Sequence, residues 1–279
     1  MKQTPTKNDV QAVRMLVRLR EDFQSMRKKT DNRIGRKASG ETQNIEERSF
    51  RPEDLESFSN FADVSRQQEK EIEKTLKKVL KRFPIYTDWL VGVKGVGTIA
   101  AGWIVGEYDI HKADTVSKLW QFTGLNPGMV IGKKRVENQD GTFSYVPTNQ
   151  MVRGDKLTPG FVAPFNKRLR VAMVGVLADG FIKAQAPYAL NFYYPYKARL
   201  EQSEKNINVV KKGGKVVQMT WKETSKGHRD MAAKRYMIKM FLKDLYVVWR
   251  ELEGLPVRPS YQEEYLGHKH MVEGVVEFV

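Results

Sequence analysis

Alternating intervals of three and four residues separate Leu55, Phe58, Ala62, Ser65, Glu69, Ile72, Leu76, Val79 and Phe83. Only an α-helix lines such positions up on one side, and a stripe of that length needs another helix to cover it. Pro52 suits the first turn of this helix, and Glu53 and Asp54 complement the positive end of its dipole. Upstream, Ala12, Leu16, Leu19, Phe23 and Met26 repeat the spacing and predict a partner-seeking helix over about residues 8–29. A polar segment with Gly35, Ser39 and Gly40 separates the two. The polar members Ser65 and Glu69 imply either a loosely packed middle or a device that sets register and partner. A coiled coil is therefore expected over residues 1–86, with its helices paired either within one chain or between chains.

From Trp89 onwards the elements shorten. Asp140-Gly141 sits between segments able to pair in KKRVENQDGTFSYV, and Gly213-Gly214 does the same in INVVKKGGKVVQMTW, so two β-hairpins are expected. Between them, a helix over about residues 164–186 carries Leu169, Ala172, Val176, Leu177, Phe181 and Ala184 on its apolar side. An aromatic segment follows, PYALNFYYPYKARL, interrupted by Pro195. Ile238, Leu242, Leu245, Trp249 and Leu252 place a last long helix over about residues 225–253, which Gly254 and Pro256 stop. Its flanks carry Lys226, Arg229, Lys234, Arg235, Lys239 and Lys243.

Charge narrows the partner. The chain has 48 Lys and Arg against 33 Asp and Glu, a formal charge of +15, which attracts polyanions. Residues 1–90 carry 20 basic and 15 acidic side chains, residues 91–186 carry 12 and 7, and residues 187–279 carry 16 and 11, so each third is +5. That even spread suits an extended footprint on a phosphate backbone better than a basic tail does. With no cysteine, the chain has no disulfide, thiolate metal site or cysteine nucleophile. No apolar stretch approaches the roughly 18 residues of a membrane span, and MKQTPTKNDVQ lacks the apolar core of a signal peptide. A cytoplasmic protein with a nucleic-acid partner, and no membrane, is expected.

The stretch VGVKGVGTIAAGW contains the strongest local signal. Leu90 and Val93 precede Gly95-Val96-Gly97, and Ala100, Ala101 and Ile104 follow at helical spacing, which reads as helix, tight turn, helix. Two glycines allow positive φ and close approach of another backbone, with Val96 turned towards the core. Free amides at the start of the second helix then face outwards as an anion site. The order resembles the helix-hairpin-helix DNA-binding motif, which grips the backbone without reading bases. Val93, Lys94, Gly95, Val96, Gly97 and Thr98 are its candidate contacts. No Rossmann fingerprint or P-loop is formed here, because the third glycine, the downstream acid and a Gly-Lys-Ser/Thr ending are missing.

Read onwards, GVGTIAAGWIVGEYDIHKADTVSKLWQFTGLNPG resembles the C-terminal domain of transposases of the insertion-sequence one-ten group. The likeness runs through Glu107, Asp109 and Ile110 to Phe122, Gly124, Leu125 and Pro127. FNKRLRVAM, through Asn166, Leu169 and Arg170, resembles a further helix of that group, and the two long helices resemble its central coiled coil. The resemblance implies DNA recombination, work with a guide RNA, oligomers held by the coiled coil, and origin in a mobile element. Two departures qualify it. The group's RuvC-like domain with its metal-binding acids is not found, and Val130 and Ile131 of MVIGKKR stand where the group carries a serine nucleophile. Neither side chain can form a covalent phosphodiester intermediate. Ser144, flanked by Phe143 and Tyr145 with no general base evident, reads as a solvated strand residue.

The expected fold is thus mainly α: long coiled-coil helices (residues 1–86), a helix-hairpin-helix domain with two short β-hairpins (residues 87–254), and an extended tail (residues 255–279). Glu107 and Asp109 read as a helix end and a cap rather than a metal pair. His111, His228, His268 and His270 form no zinc-type set. No catalytic residue, metal ligand or cofactor is assigned. Basic contacts to a phosphate backbone are expected from Lys133, Lys134 and Arg135 on the first hairpin, Lys167, Arg168 and Arg170 on the following helix, and Lys211, Lys212 and Lys215 on the second hairpin. The rings of Phe192, Tyr193, Tyr194 and Tyr196 are read mainly as core. The expected function is a transposase-like protein that grips duplex or branched DNA as a homo-oligomer without serine chemistry. The alternatives are an active recombinase working with a RuvC-like partner or guide RNA, and a scaffold for structured RNA or protein.

Overall fold

The computed structural model describes residues 5–36, 50–210 and 216–259. Ser39, Gly40, Lys211, Lys212, Gly213, Gly214, Lys215, His268 and His270 lie outside them. Helix accounts for 61% of the described residues and strand for 13%, so the protein is mainly helical, with two small antiparallel sheets among those residues. It divides into two compact units, residues 1–90 with 101–107, and residues 91–100 with 108–279. The first unit thus includes a short helical stretch, residues 101–107, from further along the chain.

The first unit is built on α1 (Lys7–Ile34) and α2 (Pro52–Leu80). A capping box starts α1: the Thr6 hydroxyl accepts from the Asp9 amide at 3.2 Å, and the Asp9 carboxylate accepts from the Thr6 amide at 2.8 Å. Gly35, with φ 73°, ends it. The two helices pair antiparallel within the chain, as the ion pairs Asp9 with Arg82, Glu73 with Arg20, Glu69 with Arg27 and Asp63 with Arg36 require. On α2 most of the expected stripe is buried: Ala62, Ser65, Glu69, Ile72, Leu76 and Val79 are buried and Phe83 continues it, while Leu55 and Phe58 at its start are half-buried.

On α1 the expected stripe is displaced by one position. Val13, Val17, Asp31 and Ile34 are buried, whereas Leu19 and Met26 are exposed and Ala12, Leu16 and Phe23 sit on the flank. The cause is Glu69. A buried carboxylate needs a cation, and Arg27 Nε donates to it while Arg20 approaches at 3.4 Å. Turning Arg20 and Arg27 towards α2 rotates the neighbouring apolar row outwards.

After α3 (Pro84–Asp88) and a 3₁₀ turn at Leu90–Gly92, α4 (Thr98–Glu107) follows. Its residues 101–107 pack on the α1–α2 pair. Gly102 lies so close that a Cβ there would meet Val17 at 2.7 Å and Leu76 at 3.0 Å, and one on Gly106 would meet Arg14 at 3.3 Å. The Trp103 indole N–H donates to Glu21 at 2.7 Å. The small residues after the glycine turn are therefore what lets a third helix approach.

The second unit is organised around α9 (Lys226–Leu252), in which Met237, Ile238, Phe241, Leu242, Leu245 and Tyr246 are fully buried. Leu252, the last member of the expected stripe, is 37% exposed. Phe181, Tyr188 and Phe241 meet with ring centroids 5.1 to 5.5 Å apart. Arg250 ties the last turn down by donating to the carbonyls of Ile110 and Ala113 at 3.2 and 2.8 Å and to that of Pro256 at 2.6 Å. The start of the expected tail is thereby docked.

Around α9 lie α5 (Val116–Phe122) and a helical run in which α6 (Lys167–Arg170) passes through a π-helical stretch, Val171–Leu177, into α7 (Ala178–Lys183). The widened turns shift the helical phase, which is why Val176 is 51% exposed although its spacing marks it for the core. A second π-helical stretch, Ala189–Tyr193, leads into α8 (Tyr194–Gln202), so Pro195 sits in a first helical turn and does not interrupt the segment. Of its rings, Phe192 and Tyr193 are buried, Tyr196 stacks on Tyr236 at 4.3 Å, and Tyr194 is exposed.

Both hairpins form. Strands β1 (Met129–Glu137) and β2 (Phe143–Arg153) pair antiparallel with a bulge between Ile131 and Lys133, and Gly141 turns with φ 77°. Strands β3 (Asn206–Val210) and β4 (Val216–Thr220) pair in register Asn206 with Thr220. Among the described residues no helix is long and apolar enough to cross a membrane.

Candidate nucleic-acid interface

The glycine turn has a closed side and an open one. The Val96 amide donates to the Val93 carbonyl at 3.0 Å, and Gly95 takes φ 96°. A Cβ on Gly95 would lie 2.7 Å from the Phe181 ring and 3.1 Å from its Cα, while one on Gly180 would lie 2.9 Å from the Gly95 carbonyl oxygen. The backbone that comes close at Gly95 is therefore that of α7, and the turn rests on the protein's own core. Gly97 differs: nothing lies within 4 Å of its Cβ position, and its φ is not positive. Lys94 and Gly97 are exposed, Val93, Val96 and Thr98 are half-buried, and Thr98 opens α4. The open side thus offers one lysine and a helix start.

A second concentration of cations forms where the ribbon β1–β2 meets residues 158–167. The Val162 amide donates to the Lys133 carbonyl at 2.8 Å, at the bulge. Next to it Gly132 is buried under Phe161, whose ring would lie 2.6 Å from a Cβ there. At the far end the Asn166 amide donates to the Phe122 carbonyl at 2.9 Å, and the Asn166 side chain caps α6 by accepting from the Leu169 amide at 3.0 Å. Bridging these anchors, Gly160, Phe161, Val162, Ala163 and Phe165 enclose, with Lys134, Arg135, Tyr145 and Lys167, an open cleft of about 630 Å³.

The cleft is basic and aromatic, and among the described residues no carboxylate lines it. Lys134 Nζ lies 5.7 Å from the Phe161 ring centre, and the Arg135 guanidinium covers Phe143 at 3.4 Å. Among the described residues Lys133, Lys134, Arg135 and Lys167 have no carboxylate partner, in contrast to Arg20, Arg27, Arg36, Arg66 and Arg82 of the first unit, which are all ion-paired. Equal formal charge along the sequence is unequal in the fold: several arginines of the helix pair are matched to carboxylates, and the ribbon cations Lys133, Lys134 and Arg135 are not.

Arg170 stands behind the cleft. It donates to the Asp155 carbonyl, and its guanidinium covers the Phe165 ring at 4.9 Å. Gly124, with φ 74°, leaves room for both, since a Cβ would lie 2.7 Å from Phe165 and 3.1 Å from Arg170. Burial pushes the Arg170 guanidinium below its ordinary pKa. Arg235 is depressed by burial and then by Arg170, and the Lys239 ammonium is held down chiefly by burial. The Asp155 carboxylate, shared by these cations, is already engaged by Arg153 through two hydrogen bonds of 2.9 Å. Positive charge is in excess here. Arg168 is half-buried on α6.

The candidates for chemistry disperse. Asp109 accepts from the His111 amide at 3.2 Å and pairs with Lys112 at 3.1 Å, which makes it a turn cap, and Glu107 ends α4. His111 lies 3.6 Å from Glu253. Ser144 donates to Asn138 at 3.0 Å from a strand. Val130 is half-buried and Ile131 exposed on β1. Among the described residues no group of three or more His, Asp or Glu gathers to hold a metal.

The fold brings Lys134, Arg135 and Lys167 together, and adds Tyr145, Phe161 and Phe165, which the sequence reading missed. A signal for Phe161 was available in TPGFVAPFNKR, where a segment broken by Gly160 and Pro164 gives that ring no helical stripe to join. No protein-family model, no curated protein and no solved structure matches the chain.

Proposed function

We propose that the protein is a transposase-like DNA-binding protein of the cytoplasm that grips the phosphate backbone of duplex or branched DNA, acting as an oligomer and without the serine chemistry of the group it resembles. The observation that carries this reading is the cleft itself. Three cations from two separate segments converge there with no carboxylate among the described residues, so their counter-charge is left for a ligand to supply. The glycine turn adds a second contact, a helix-hairpin-helix grip through Lys94, Gly97 and the first amides of α4. Val130 and Ile131 in place of a hydroxyl support the absence of covalent chemistry.

The test is a filter-binding titration of the full chain against duplex and four-way-junction DNA over a range of salt. Affinity should fall log-linearly with salt, by about 0.9 per neutralised phosphate. Replacing Lys134, Arg135 and Lys167 by alanine should reduce that slope by about one for each residue lost. Absence of salt-sensitive binding would overturn the reading. Nicking of supercoiled DNA in magnesium would transfer it to the recombinase class.

A further inference from the structure

The cleft is furnished for more than a phosphate. A backbone grip needs cations and amides, yet here the walls are rings: Tyr145 from β2 and Phe161 and Phe165 from the connecting segment. Phe161 and Phe165 each have a cation near the ring, Lys134 and Arg170. Tyr145 does not. Among the described residues no ring or cation covers it, and its side chain is 59% exposed on a strand whose cross-strand partner is Arg135. Gly160 at the cleft has φ 78° and open space at its Cβ position, so no side chain stands there. An exposed tyrosine face in water gains by being covered, and a planar, electron-poor ring covers it best.

We infer that this cleft binds one unpaired nucleotide, with its base stacked on Tyr145 and its phosphates on Lys134, Arg135 and Lys167. The cleft, of about 630 Å³ and open to solvent, has room for one nucleotide. A paired base keeps both faces in its own helix, so only a gap, bulge, junction centre or single strand can present one to the tyrosine. The inference rests on the nucleic-acid reading and deepens it: the ligand is nucleic acid with an exposed base, such as branched DNA or looped RNA.

The probes are a short duplex, the same duplex with one 2-aminopurine opposite a gap, and the gapped probe's ribonucleotide counterpart. The gapped probes should bind about tenfold more tightly than the closed duplex, and 2-aminopurine fluorescence should be quenched on binding. Whichever of the deoxy and ribo arms is quenched names the polymer. Tyr145→Ala should remove the preference and the quenching, and Tyr145→Phe should retain both. Equal affinity for closed and gapped probes, or a preference that survives Tyr145→Ala, overturns the inference while leaving backbone binding intact. If no probe binds in a salt-sensitive way, the underlying reading fails instead.

Discussion

Gly95 and Gly97 look alike in the sequence and differ in the fold. Gly95 combines φ 96° with the backbone of Phe181 at van der Waals range, so a methyl group there meets both backbone strain and a wall that cannot yield. Gly95→Ala should destabilise the chain by about 2–4 kcal/mol in urea unfolding. Gly97→Ala, facing open space without a positive φ, should change stability by less than about 1 kcal/mol. Its effect, if the turn grips a phosphate, should appear in DNA affinity alone. Glu69 is a second residue whose meaning came from its surroundings. Removing it as Glu69→Ala leaves Arg27 with the longer pair to Asp31 at 3.4 Å, while Arg20 keeps Glu73 at 2.9 Å, and should cost about 1–3 kcal/mol. The double replacement of Glu69 and Arg27 by leucine should recover most of that loss in the same denaturation assay.

At the scale of elements, the helix pair is held at one end by a carboxylate that pH can switch off. Hydrogen bonds from Thr6, with a further one from Arg82, hold the Asp9 carboxyl at about 2, below the ordinary value near 4. A depressed carboxylate contributes stability that is present above its unfolded pKa and lost as pH falls through the folded one. The chain should therefore lose stability between about pH 4 and pH 2, and Asp9→Asn should remove this part of the acid dependence when thermal unfolding is followed across that window. The other elements divide by how locally they are encoded. Asp140-Gly141 sets the ribbon turn within a few residues, so the hairpin was readable. The π-helical stretches at Val171–Leu177 and Ala189–Tyr193 were not, because a widened turn is imposed by what the helix packs on rather than by the composition of its own residues.

The whole molecule shows where charge acts. Each third of the sequence is +5, yet Arg20, Arg27, Arg36 and Arg82 of the first unit are matched to carboxylates, while Lys133, Lys134 and Arg135 of the ribbon are not. Lys74→Ala, on an exposed pair with Glu71, should leave DNA affinity within about twofold, whereas Lys134→Ala should weaken it clearly and lower the salt slope by about one in the same titration. By itself the sequence determined what local physics controls: helices from their period and caps, hairpins from their Asp-Gly or Gly-Gly centres, and the buried stripe of α2 down to Ser65 and Glu69. Tertiary structure alone decided the rest. It chose which face of α1 meets α2, because a buried carboxylate selects its cation over a neighbouring apolar row. It placed α7 against Gly95, and it gathered Tyr145, Phe161, Phe165, Lys134, Arg135 and Lys167 at one cleft. Those contacts join residues distant in the chain, and no spacing rule encodes which distant residues will meet.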